Sequence, residues 1–167
     1  MLRVLVTLVS VAAFSSAAWA GFDSWTAEVE NDPFSGGQRV TVGITTSMRS
    51  GVVIFCDTSE KGLTVRAIPG FAFESGMTGF APEMEFAIDG ERLLGQSGET
   101  GAVGDNIAVS EVKLSPENAK RFMDAFAAAK KQIAIKDGIS DRPHLMPARG
   151  TTKSGQALLG CMGKQAP

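Results

Sequence analysis

Apolar and polar residues alternate with period two over much of this chain, and the alternation changes to a helical period in one late stretch. Two apolar runs, Val52–Cys56 and Leu63–Ile68, flank a polar turn that ends on Gly62. β-Branched and aromatic residues fill both runs, which predicts a central β-hairpin. Upstream, Gly21–Asn31 places Trp25, Ala27 and Val29 on an expected inner face, and Arg39–Met48 does the same with Val40, Val42 and Ile44. Short polar turns between these runs predict antiparallel pairing.

Pro69–Pro82 lacks a clear period. It mixes Gly70, Gly76 and Gly79 with Phe71, Phe73 and Phe80. A short strand at Phe71–Glu74, an exposed binding loop, or aromatics covering an edge of the core each fit. Glu83–Asp89 then alternates cleanly, with Met84, Phe86 and Ile88 inward, and Asp89-Gly90 is a hairpin signal into a weak strand, Glu91–Gln96. Ser97–Gly104 holds three glycines and reads as a mobile loop. Asn106–Leu114 reads as a strand whose alternation slips near Ser110, suggesting a bulge.

At Ser115 the period changes. Ser at the N-cap, Pro116 at the first helical position and Glu117 in the first turn start a helix. Ala119, Phe122, Met123, Phe126 and Ala129 recur at its apolar spacing, and Lys130 and Lys131 fall where the dipole favours cations. Gln132–Lys136 returns to a strand with Ile133 and Ile135 on one face. Ile139–Arg149, with two prolines, reads as an irregular or edge segment. Thr151–Cys161 predicts a short second helix, capped by Ser154. The expected class is α+β, mainly β: antiparallel, sandwich-like sheets with one long helix and a short C-terminal helix.

Residues 1–20 carry a different pattern. Arg3, the apolar run Val4–Phe14 and Ala18-Trp19-Ala20 form an expected signal peptide cleaved before Gly21, leaving residues 21–167 as one β-rich domain. The expected location is periplasmic or secreted, with no membrane span after signal removal. Loss of Arg3 takes the net charge from −2 to −3, which argues against a nucleic-acid partner. In an exported chain, the two cysteines, Cys56 and Cys161, are expected to form one intramolecular disulfide. Two free thiols or pairing between chains are the alternatives.

Candidate chemistry is sparse. The sole histidine, His144, lies in a proline-flanked stretch, and no GxSxG motif marks a nucleophilic serine. A solvated loop histidine is the expectation. One histidine and two oxidised cysteines supply a zinc site poorly, so no cofactor or metal is expected. Glu83 and Glu85 share a strand face, as a catalytic pair or as ordinary solvated residues. The candidate partner-binding residues are therefore Phe71, Phe73 and Phe80 on the aromatic stretch, and Lys130, Lys131 and Lys136 in the basic C-terminal half.

The order of Trp25 in an early strand, IFC at 54–56, FAID at 86–89, a Ser-Pro-initiated helix, IAIK at 133–136 and a final helix reaching Cys161 resembles small exported envelope proteins of Gram-negative bacteria. These include the type VI secretion-associated accessory proteins and, more distantly, the invasion-associated locus B family. The resemblance implies a non-catalytic periplasmic or secreted accessory protein that binds an envelope or secretion-associated protein. The alternative is a binder of an envelope glycan or small ligand, with hydrolysis as an extension of that reading.

Overall fold

The computed structural model describes residues 21–34 and 36–165. The expected signal peptide, residues 1–20, lies outside the described residues. Among the described residues the fold is α+β and mainly β: two antiparallel sheets and two helices, the first one residue longer than the short C-terminal one. Eleven strands run β1 (Gly21–Phe22), β2 (Thr26–Asn31), β3 (Gln38–Thr45), β4 (Gly51–Asp57), β5 (Leu63–Ile68), β6 (Glu83–Ile88), β7 (Glu91–Ser97), β8 (Glu99–Val103), β9 (Ile107–Leu114), β10 (Gln132–Lys136) and β11 (His144–Pro147). The helices are α1 (Pro116–Ala128) and α2 (Thr151–Met162). The larger sheet has the order β3-β4-β5-β9-β8, with β2 on the outer side of β3 and the two residues of β1 extending that edge in parallel. The smaller sheet has the order β11-β10-β6-β7.

The central hairpin forms as its pattern predicts. β4 and β5 pair from Gly51↔Ile68 to Phe55↔Thr64, and the inward row Val42, Ile54, Val65, Val112 crosses four strands in register. All four are buried. The smaller sheet contributes Met84, Phe86, Ile133, Ile135 and Met146 to the same core. Helix α1 ties the sheets together through aromatic rings: Trp25 meets Phe126 edge-on at 4.9 Å, Phe126 stacks on Phe122 at 5.7 Å, and Phe122 meets Phe86 edge-on at 5.4 Å. Such pairs add roughly 1 kcal/mol each beyond their buried area. Helix α2 packs on α1 and on β2, β3 and β4. The Cys56–Cys161 disulfide is formed, with Cα atoms 6.2 Å apart, and fastens α2 to the central strand. Just beyond it, the Gln165 side chain donates to the carbonyls of Asp57 and Gly62 and accepts from the Gly62 amide, pinning the tail to the β4–β5 turn.

Several expectations change in detail. Trp25 is buried, and its indole nitrogen donates to the Pro147 carbonyl at 3.0 Å, but Ala27 and Val29 lie exposed. They belong to an outer strand paired on β3 alone, and the packing of α2 against it leaves both side chains in solvent. The glycine-rich Ser97–Gly104 is mostly strand β8, held in register by β9 from Glu99↔Glu111 to Val103↔Ile107. Pairing with a neighbour, rather than side-chain pattern, orders it. Ser110 fits the alternation of β9 as a small buried residue opposite Ala67, so no bulge forms there; the irregularity lies between Phe86 and Ala87, against β7. Ser115 caps α1 as predicted, accepting from the Asn118 amide. Lys130 and Lys131, however, follow the C-cap Ala129 instead of occupying the last turn. Helix α2 starts at Gly150, whose φ of 89° favours glycine and whose added Cβ would lie 2.3 Å from the Trp25 carbonyl oxygen. Ser154 is buried inside that helix and caps nothing.

Candidate functional site

Strand β10 continues its alternation one residue past its end. Ile133 and Ile135 point inward, and so does Asp137, which is 0% exposed. A buried carboxylate must be hydrogen-bonded to remain charged. The chain satisfies this by folding over it. Gly138, with φ 75°, turns tightly against Pro82 and Glu83, where an added Cβ would lie 2.7 Å from the Pro82 Cβ. The turn aims two amides at one carboxylate oxygen: Ile139 N at 3.0 Å and Ser140 N at 2.8 Å reach Asp137 Oδ1. The other oxygen accepts from Ser140 Oγ at 2.6 Å and from His144 Nε2 at 2.8 Å. His144 opens β11, directly across from Ile135, so sheet register delivers its ring to the aspartate.

Burial is the largest single influence on Asp137 and acts to raise its pKa. The His144 bond, the Ser140 hydroxyl and the two amides outweigh it and hold the carboxyl below its ordinary value of 3.8. The ionised carboxylate only accepts, so His144 Nε2 carries a proton. The bond to Asp137 is the one that the ring makes among the described residues, and it leaves Nδ1 on the other side. The expectation of a solvated loop histidine is thus corrected: the ring is 8% exposed and anchored. The signal was present in the sequence, because the Ile133, Ile135, Asp137 phase places an acid on the core side, where it requires a donor.

The ring borders a cleft of about 430 Å³ at the junction of the two sheets. Ser50, from the β3–β4 turn, and Pro69 and Phe71, following β5, form one wall. Ile139, Ser140, Asp141, Arg142 and His144 form the other. Of the three candidate phenylalanines, Phe71, 37% exposed, is the one that reaches this cleft. Phe73 is held by backbone and side-chain bonds with Asn106, and Phe80, 50% exposed, has its carbonyl on the Thr100 hydroxyl. The aromatic stretch therefore has no run of regular strand, only an isolated Ala72↔Ile107 bridge and one 3-10 turn at Ser75–Met77.

The candidate lysines do not form one patch. Lys130 and Lys131 are exposed beside the Asp89 turn, where the Asp89 carboxylate accepts the amides of Lys130, Lys131 and Gln132. Those bonds, Gln132's first, lower the Asp89 pKa. Lys136 lies at the opposite end of β10, roughly 16 Å along a strand of that length, and 4.0 Å from Glu85. Glu85 also faces Arg92 at 3.5 Å. Glu83 and Glu85 share the outer face of β6 as expected, and neither borders the Phe71–His144 cleft.

The outer face of the larger sheet carries a second cleft, of about 270 Å³, and most of its charges are matched internally, though Lys61 lines it as well. Arg39 pairs with Asp57, Arg66 with Glu111 and Lys113 with Glu60, while the Arg66 guanidinium lies over the Phe55 ring at 5.0 Å. Among the described residues no group of three or more metal-ligating side chains converges, and no helix is long and apolar enough to cross a membrane.

At the Phe71–His144 cleft, Ser140 and His144 both bond Asp137 instead of each other. That geometry differs from a nucleophilic relay, in which the histidine stands between serine and acid. The arrangement offers a rigid ring nitrogen, an aromatic face and a neighbouring acid and base. Compared with family models, with curated proteins and with solved structures, the chain has no match.

Proposed function

We propose that this chain is an exported, non-catalytic binding protein of a bacterial cell envelope, acting in the periplasm or after secretion, and that it engages its partner at the Phe71–His144 cleft. The observation that carries the reading is the aspartate-anchored ring of His144, with one nitrogen unused, between the exposed Phe71 and Arg142. Preformed polar groups beside an aromatic surface favour recognition, because little ordering entropy remains to be lost on binding. The Cys56–Cys161 disulfide and the leader-like residues 1–20 support export. An accessory protein that docks an envelope or secretion-associated partner fits these features and the resemblance stated above.

A second reading, a binder of an envelope glycan or another small ligand, is favoured by the concavity of the same site. Its hydrolytic extension rested on Glu83 and Glu85, which lie on an open strand face with Glu85 between two cations.

The test is in-cell crosslinking of the oxidised protein, followed by purification under denaturing conditions. A defined envelope component is expected in the adduct and is lost in the Phe71→Ala/Arg142→Glu double variant, while Lys131→Glu retains it. An adduct insensitive to the double variant, or turnover of envelope substrates by the pure protein, contradicts the proposal.

A further inference from the structure

The Phe71–His144 cleft contains both signs of charge. Arg142 is a fixed cation, Asp141 an anion, and Asp137 stands as a second anion directly behind the imidazole. A strongly anionic ligand would meet two carboxylates, and a cationic one would meet Arg142. The charges and hydroxyls, by contrast, match a neutral ligand with many donors and acceptors. Ser50 brings a hydroxyl to the rim, where it is held by the Thr46 and Ser47 hydroxyls at 2.9 and 2.6 Å. Asp141 and Arg142, adjacent in sequence, offer acceptor oxygens beside donor nitrogens. His144 turns Nε2 to Asp137, so Nδ1 is the ring nitrogen left open to a ligand hydroxyl.

Pro69 and Phe71 supply apolar surface on the Ser50 side, across from Asp141, Arg142 and His144. A pyranose ring has this division: C–H groups on its faces and hydroxyls on its rim. The cleft, of about 430 Å³, is shallow and open to solvent, which suits a ligand held by one face and its rim.

From this complementarity we infer that the cleft is a saccharide-binding site. Phe71 packs on the face of a sugar ring, His144 Nδ1 accepts from one ring hydroxyl, and Asp141 and Arg142 bond the rim. No bond is made or broken. The inference rests on the binding-protein reading and names the ligand class for its site.

His144 is the sole histidine of the chain, so its two ring nitrogens give uniquely assigned nitrogen resonances. The oxidised protein, residues 21–167, is titrated at neutral pH with each of three neutral disaccharides, maltose, lactose and N,N′-diacetylchitobiose, and separately with benzoate. The expected result is a saturable shift of Nδ1 with at least one disaccharide, in the millimolar range or tighter, while the Nε2 proton stays bonded to Asp137. Phe71→Ala and Arg142→Ala are each expected to weaken that binding by about tenfold. Their unchanged Nε2 signal shows that the corner is still folded.

Failure of all three disaccharides to shift Nδ1 overturns the inference, as does saturation by benzoate alone, or saccharide binding that survives Phe71→Ala unchanged. If the crosslinked partner is still lost in the cleft double variant while no disaccharide binds, the binding-protein reading stands and the saccharide inference falls. If a disaccharide binds as expected and no adduct forms in cells, the saccharide inference stands and the docking of a macromolecular partner falls.

Discussion

Asp137 and His144 are joined by one hydrogen bond of 2.8 Å, Nε2 to Oδ2, with the carboxylate wholly buried and the ring nearly so. The bond spans only seven residues, yet it closes the edge of the smaller sheet. It sets the orientation of His144 beside Arg142 and Phe71, so the stability of the corner and the shape of the cleft rest on the same contact.

This coupling predicts an acid dependence of definite sign. The Asp137 pKa is lowered in the folded state, so its contribution is fully present above the unfolded value near 3.8 and is lost as pH falls through the folded value. The unfolding midpoint should be level above about pH 5 and fall below about pH 4. Asp57 and Asp89, also lowered, act in the same direction. Asp137→Asn should cost about 3 kcal/mol at neutral pH, as expected for removing one partner of a buried charged pair, and should flatten part of the acid limb. Urea unfolding followed by the fluorescence of Trp25, the one tryptophan outside residues 1–20, measures both. An unchanged acid limb in the variant would contradict the assignment.

Reduction of the disulfide should be costly without changing the fold class. Cys56 and Cys161 are 105 residues apart, and closing a loop of that length is worth about 4 to 5 kcal/mol in the chain-entropy model. The Cys56→Ser/Cys161→Ser variant should therefore unfold at markedly lower denaturant while keeping its far-ultraviolet dichroism in buffer. Equal midpoints for the oxidised protein and the variant would show that the bond does little to constrain the unfolded chain.

Ser110 marks a site where stability can be gained. Its hydroxyl is buried in β9 and has no hydrogen-bond partner among the described residues. Removing an unsatisfied hydroxyl relieves a desolvation cost, so Ser110→Ala should stabilise the protein by about 1 kcal/mol. A loss of stability in the same unfolding assay would show that the hydroxyl is satisfied in solution.

The parts of the fold legible in the sequence were those where side-chain period and burial coincide. Val40, Val42 and Ile44, then Met84, Phe86 and Ile88, are buried on alternate positions as the pattern requires, and the Ala119–Ala129 stripe forms the buried face of α1. Cys56 and Cys161 paired because an apolar strand and an apolar helix face brought them together. Strand β8 was hidden because Glu99-Thr100-Gly101-Ala102-Val103 has no strong pattern, and its order comes from the ladder with β9. The exposure of Val29 was hidden because alternation identifies a face but not whether a neighbour covers it. Of the candidate site, Phe71 was visible as an aromatic among glycines. His144 was misjudged because its neighbouring prolines suggested a loose loop, whereas cross-strand register with Ile135 fixes it against Asp137.

The most direct test of the binding-protein account is site-specific photocrosslinking in the periplasm of a Gram-negative host. A photoreactive residue replaces Ile139, which lines the cleft, or Lys131, at the far end of β10. The account predicts a discrete adduct from position 139 that disappears with Phe71→Ala, and none from position 131. Adducts of equal yield from both positions, or an adduct from position 131 alone, would contradict it.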